Sequence, residues 1–152
     1  MITSTSNDKI KQIMKYRKSA KERRKQGVFL VEGIRMFVEI PKEWCREVYM
    51  TQEFLERYQE QIPEYLLSKL ELVAPHVMEA MTDTKTPQGV ISVVSQPAYS
   101  IEEVCMQKED SEPLILALEN LQDPGNLGTI VRTAEGAGVT GIVKRWISII
   151  LR

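Results

Sequence analysis

No run of apolar residues in this sequence approaches the roughly 18 to 20 that a membrane-spanning helix requires. The polar opening Met1–Asp8 holds no apolar core of the kind a secretory signal needs. A soluble chain is the expectation. Cysteine is scarce: Cys45 and Cys105 are widely separated, so neither a zinc ligand set nor a redox pair is built locally, and a reducing cytoplasm is the expected home. The single histidine, His76, follows Pro75 and reads as a surface helix residue rather than a catalyst. Glycine and proline, at 8 and 7 residues, are ordinary, and there is no internal repeat or low-complexity segment. A chain of 152 residues with 43% hydrophobic and 27% charged content is sized for one or two small domains.

Strong net charge is also lacking, but the formal value of −1 conceals an asymmetry. Nine of the 20 basic residues are Lys9, Lys11, Lys15, Arg17, Lys18, Lys21, Arg23, Arg24 and Lys25, and within that segment only Glu22 opposes them. The rest of the chain is acidic. Ile10, Ile13 and Met14 fall at helical spacing, so Asn7–Lys25 is expected to form one helix with a narrow apolar stripe, capped by Asn7 or Ser6 and ended by Gly27. Such a face neutralises phosphates and binds RNA in a salt-dependent, largely sequence-independent way. The alternatives are a solvated helix face and a membrane-surface helix. The second is disfavoured because the stripe has no Trp, Phe or Leu to insert.

Beyond Gly27, short apolar runs alternate with amphipathic stretches. Strands are expected at 28–31, 47–50, 70–73 and 89–95, and helices at 33–40, 53–61 and 75–81, giving a small α/β layered domain over residues 1–97. Residues 98–113, rich in Glu and Asp, suit a linker or a lightly packed helix. A second unit then opens with a buried-type strand at 114–118, a polar turn-forming loop, a helix over 126–138 and another strand at 141–143. That is the start of an open α/β sheet, in which the loop after a strand's carboxyl end gathers ligands. Here the loop runs from Glu119 to Asn126 and feeds a helix bearing Arg132, with Asn126 placed at the helix cap. Asn126 serves there as a cap alone or also as a positioned hydrogen-bonding group.

The string Asn120-Leu121-Gln122-Asp123-Pro124-Gly125-Asn126-Leu127-Gly128-Thr129-Ile130-Val131-Arg132-Thr133-Ala134, with Gly138 after it, resembles the first signature motif of SpoU-type (TrmH-family) RNA 2′-O-ribose methyltransferases. Two further segments agree. Residues from Asn7 and Lys11 through Arg24 to Phe29-Leu30-Val31-Glu32-Gly33 and Arg35 resemble the family's RNA substrate-binding domain, and Thr86-Pro87-Gln88-Gly89-Val90 resembles its TPQG segment.

The resemblance implies methyl transfer from S-adenosylmethionine to a ribose 2′-hydroxyl of rRNA or tRNA, by a trefoil-knotted SPOUT-type catalytic domain assembled as a homodimer. It adds Arg35 to the RNA-binding set. Arg132 would activate the 2′-hydroxyl or organise the adjacent RNA phosphate. A guanidinium is a poor base, so its conservative role is electrostatic, lowering the cost of a developing alkoxide. Asn126 would orient that group or the ribose, with Glu119 and Asn120 lining the loop. A surface pairing of Arg132 with Glu135 or Glu119 is the purely structural alternative.

Family members continue for about a hundred residues with motifs that supply the cofactor pocket and the knot. The ending Lys144–Arg152 does not resemble that continuation, and a frameshift or premature stop would produce it. Its apolar Trp146, Ile147, Ile149, Ile150 and Leu151 are expected to be partly exposed and prone to aggregation. The expectation is a truncated member holding residues 114–152 of the methyltransferase domain, without identifiable cofactor-binding residues and inactive by itself. The alternative is a non-catalytic RNA-binding module.

Overall fold

The computed structural model describes residues 1–84, 86–106 and 112–145, and the chain divides into two units, Met1–Pro97 and Ala98–Arg152. The first unit opens with helices α1 (Asp8–Lys18) and α2 (Ala20–Gln26), followed by strand β1 (Val28–Glu32) and helix α3 (Ile34–Phe37). Strand β2 (Cys45–Met50) leads into α4 (Gln52–Tyr58), a 3-10 turn at Gln59–Gln61 and α5 (Glu64–Leu67). Strand β3 (Leu70–Leu72), helix α6 (Pro75–Met81) and strand β4 (Val90–Ser95) complete it.

The four strands form one sheet in the order β1-β4-β2-β3, with β4 antiparallel to both β1 and β2, and β3 parallel to β2. Side chains alternate between the sheet's faces. Val28, Tyr49, Ile91 and Val93 meet Ile10 and Ile13 of α1 and Val77, Met78 and Met81 of α6. On the opposite face Val31, Val48, Met50, Val90 and Val94 meet Phe37, Phe54 and Leu66 from α3, α4 and α5. This is a three-layer helix–sheet–helix unit with two apolar layers, and central β4 is buried on both sides. Cys45 lies inside the second layer, where burial pushes its thiol pKa up and away from reactivity.

Two sequence expectations are corrected in this unit. The basic segment is two helices, because Ser19 adopts extended backbone (φ −127°, ψ 104°), ending α1 and capping α2 with its hydroxyl against the Glu22 N–H. The helix expected at 33–40 spans only Ile34–Phe37, and α5 had no sequence signal strong enough to be read. Asn7 caps α1 through the Lys9 N–H, and Gly27 ends α2 in the left-handed region at φ 60°. His76 is exposed, its Nε2 lying 2.8 Å from the Thr3 carbonyl oxygen.

The second unit contains helix α7 (Ile101–Cys105) within the acidic segment, then strand β5 (Ile115–Glu119), helix α8 (Pro124–Gly136) and strand β6 (Gly141–Arg145). Strands β5 and β6 pair in parallel, so β5-α8-β6 is a single crossover unit. Helix α7 carries a capping box in which Ser100 and Glu103 bond reciprocally. It packs on β6 so closely that a Cβ at Gly141 would fall 2.5 Å from a Val104 methyl. Among the described residues of this unit only Ala134 is buried. The expected exposure of the apolar tail at 146–152 lies outside the described residues.

Candidate nucleic-acid interface and catalytic loop

The cations of α1 and α2 do not form one uniform face. Arg17 is turned inward: its Nη1 donates to the carbonyls of Ala80 at 2.9 Å and Thr82 at 2.5 Å, and its Nε stands 3.1 Å from Asp83. That geometry fastens the end of α1 to the end of α6. Arg23 Nη1 donates to the carbonyls of Tyr16 at 2.5 Å and Arg17 at 3.0 Å, satisfying orphan acceptors in the last turn of α1. Lys9 pairs with Glu71, Lys11 with Asp8 and Lys15 with Glu22. The Glu22 carboxyl is held below its usual range, first by the hydrogen bond from Lys15, with Lys25 contributing a smaller Coulombic pull.

Lys18, Lys21 and Arg24 are exposed and enter no ion pair among the described residues, and Lys25 is exposed beside them. These four, clustered around the Ser19 break, are the cations best disposed toward phosphates. Arg46, which the sequence reading passed over, supports them. A register shift in β2 frees it to reach Ser95 Oγ at 2.8 Å and the carbonyls of Gln26 and Gly27 at 3.1 and 3.4 Å, anchoring the end of α2 to the sheet.

At the other candidate site, the loop between β5 and α8 begins at Asn120, whose φ of 57° is the only positive value at a non-glycine position among the described residues. Asparagine tolerates this region better than most residues, and backbone held there is frequent where side chains are positioned for function. The expected helix cap at Asn126 is corrected. Asp123 is the N-cap, its carboxylate accepting the Gly125 N–H at 2.7 Å, and Pro124 occupies the first helical position, where its missing N–H costs nothing. Asn126 therefore lies in the first turn of α8, exposed and free of a capping role.

Arg132 is six residues further along α8, about 9 Å on along the axis and a third of a turn around from Asn126. It is exposed and makes no ion pair among the described residues, so the surface pairing with Glu119 or Glu135 is not formed. Gly128, one turn before it on α8, has open space where a Cβ would stand. Glu119 and Asn120 are likewise exposed. All four of these polar side chains are exposed, Glu119 and Asn120 at the end of β5 and the start of the loop and Asn126 and Arg132 on α8, an open arrangement. That suits contact with a ribose and its phosphate, but it does not enclose a ligand the size of S-adenosylmethionine, so the described residues do not fit that cofactor by themselves.

A family model described as the MRM3-like substrate binding domain matches residues 7–92. The chain is 31% identical over 144 residues to the 23S rRNA (guanosine(2553)-2′-O)-methyltransferase RlmP of Bacillus subtilis, covering 93% of this chain and 53% of that protein. It is 32% identical over 153 residues to the mitochondrial rRNA methyltransferase 3 of Homo sapiens, covering 95% of this chain and 36% of that one. An AdoMet-bound rRNA methyltransferase from Sinorhizobium meliloti matches with a TM-score of 0.72 and 25% identity, over 97% of this chain and 55% of that chain. The chain thus spans about half the length of its bacterial relatives, and a little over a third of the human one. With a substrate-binding domain matched over residues 7–92 and the Asn120–Ala134 motif on its β5–α8 connection, the chain belongs to the SpoU/TrmH family of RNA methyltransferases.

Proposed function

We propose that this chain supplies the substrate-recognition domain and the catalytic loop for 2′-O-methylation of ribosomal or transfer RNA in the cytoplasm, working as a homodimer. The observation that carries this reading is Arg132, exposed and unpaired among the described residues, on the helix that follows the left-handed Asn120. A guanidinium left free beside an open loop is available to an RNA phosphate and to the charge that develops on a 2′-oxygen losing its proton. Asn126, with its side chain released from capping, can hydrogen-bond the ribose, and Glu119 and Asn120 border the same approach. Lys18, Lys21, Arg24 and Lys25 hold the RNA backbone, with Arg35 as a further cation on the same unit.

S-adenosylmethionine is the methyl donor for the reaction the family performs. The described loop and helix do not enclose it, and RNA recognition is the part of that reaction which these residues support directly. The second reading, a non-catalytic RNA-binding module, is favoured by the exposed Lys18, Lys21, Arg24 and Lys25, all of which lie in the first unit, apart from the Arg132 helix.

Isothermal titration with S-adenosylmethionine, run beside RNA binding over a salt series, tests both. RNA affinity that falls with salt, without cofactor heat, is the expected result. Saturable cofactor binding would show that the chain completes its own pocket and would overturn the second reading. Absence of salt-dependent RNA binding would remove the RNA reading altogether.

A further inference from the structure

Away from the basic helices, two loops meet at one end of the first unit's sheet. One is Gly33, which follows β1, and the other is the Pro87-Gln88-Gly89 segment before β4. Both glycines sit at positive φ, 90° and 85°. Each also lies where a side chain would collide. A Cβ at Gly33 would stand 2.5 Å from Gln88 Oε1, and one at Gly89 would stand 3.0 Å from both Phe54 Cβ and Thr51 Oγ1. The Gly89 carbonyl accepts the Thr51 N–H at 2.9 Å, which ties the turn to the start of α4. The Gln88 carboxamide thus lies over Gly33, in the space a Cβ would take, and makes no hydrogen bond among the described residues.

Beside Gln88 opens a crevice of about 250 Å³, bordered by Glu53, Arg57 and Tyr58 of α4 and by Ile34. Its volume is below the roughly 300 to 1,000 Å³ of pockets for drug-sized ligands, so it suits a single flat ring. The Arg57 guanidinium lies 5.3 Å from the centroid of the Tyr58 ring, and the Tyr58 ring packs at 4.7 Å on Phe54. A supported aromatic ring with an exposed guanidinium over it is a stacking platform, and every nucleobase has a face to offer it. Gln88 presents both donors and an acceptor, and Glu53 presents an acceptor for base N–H groups. An adjoining crevice shares Ile34 and Gln88 and is bordered by Arg35, which is exposed, enters no ion pair among the described residues and is placed to meet a neighbouring phosphate.

We propose that this crevice is a base-binding subsite that receives one unstacked nucleobase of the RNA, held between the Arg57–Tyr58 platform and the free amide of Gln88. The proposal rests on the RNA reading above and adds a preference that the basic helices cannot supply. Phosphate contacts do not distinguish a single strand from a duplex by its bases, whereas a base taken into a crevice must come from unpaired RNA.

The test uses the full chain and a fluorescein-labelled ten-nucleotide single-stranded RNA of mixed sequence, compared by anisotropy with the same strand in a duplex. Gln88→Ala and Arg57→Lys alter exposed side chains, so the fold is retained. The lysine keeps the charge and discards the planar group. Each substitution is expected to weaken single-strand binding roughly tenfold, the scale of one lost stacking or base-edge contact, while duplex binding stays within about twofold. Unchanged single-strand affinity, or equal losses on both RNAs, overturns the subsite while leaving the RNA reading intact. If the unaltered chain binds neither RNA, the RNA reading itself fails and the subsite with it.

Discussion

Arg17 and its neighbours show that a cation's position in sequence does not define its work. Its guanidinium is committed to two carbonyls and a carboxylate at the α1–α6 junction, whereas Lys21 and Arg24 are exposed and enter no ion pair among the described residues. Removing Arg17 leaves partly buried acceptors without donors, a loss of about 1 to 3 kcal/mol. Arg17→Ala is therefore expected to lower Tm clearly while leaving the slope of log K against log salt for RNA binding unchanged. Lys21→Ala and Arg24→Ala should do the reverse, each holding Tm and reducing that slope by about 0.7 to 0.9. Thermal melts beside the salt series separate the two behaviours. A flattened slope in Arg17→Ala with normal Tm would mean that the residue leaves its intrachain partners for phosphate.

At the scale of elements, the Ser19 break decides how the basic segment is displayed. Ser19 satisfies the Glu22 N–H, so Ser19→Ala is expected to cost about 1 kcal/mol. It should also let α1 and α2 run on toward a continuous helix, visible as added helical ellipticity in a less stable protein. Unchanged stability would show the cap to be dispensable. The break was legible in principle, since Ser19-Ala20-Lys21-Glu22 has the capping-box pattern, but the strongly cationic composition on both sides masked it. The same holds for α8: Pro124 at the first helical position makes Asp123 the cap, although Asn126 is also a residue type that caps helices. Where apolar spacing was strong, as in α6 and β4, sequence and structure agree closely. The placement of Gln88 over Gly33 and the inward turn of Arg17 were not legible. Both depend on contacts between residues far apart in the chain, on which no local pattern reports.

For the molecule as a whole, the two units differ in what can sustain them. Met1–Pro97 owns two apolar layers on a four-stranded sheet, with every helix except α2 contributing a buried side chain. The described part of Ala98–Arg152 has a two-stranded parallel pair, two helices and one buried residue, Ala134, and two-stranded sheets are marginal in water. Residues 1–97 expressed alone should therefore unfold cooperatively at the Tm of the first transition of the full chain, whereas residues 98–152 alone should show no cooperative transition. Because the free cations and the Gln88 crevice both lie in the first unit, the 1–97 fragment should also reproduce the RNA affinity and salt slope of the full chain. A fragment that folds normally but binds RNA ten times more weakly would locate a major part of recognition on the Asn120–Arg132 surface. Arg132 would then be an RNA-holding group in the ground state, which differs from a guanidinium reserved for charge that appears only as the 2′-oxygen reacts.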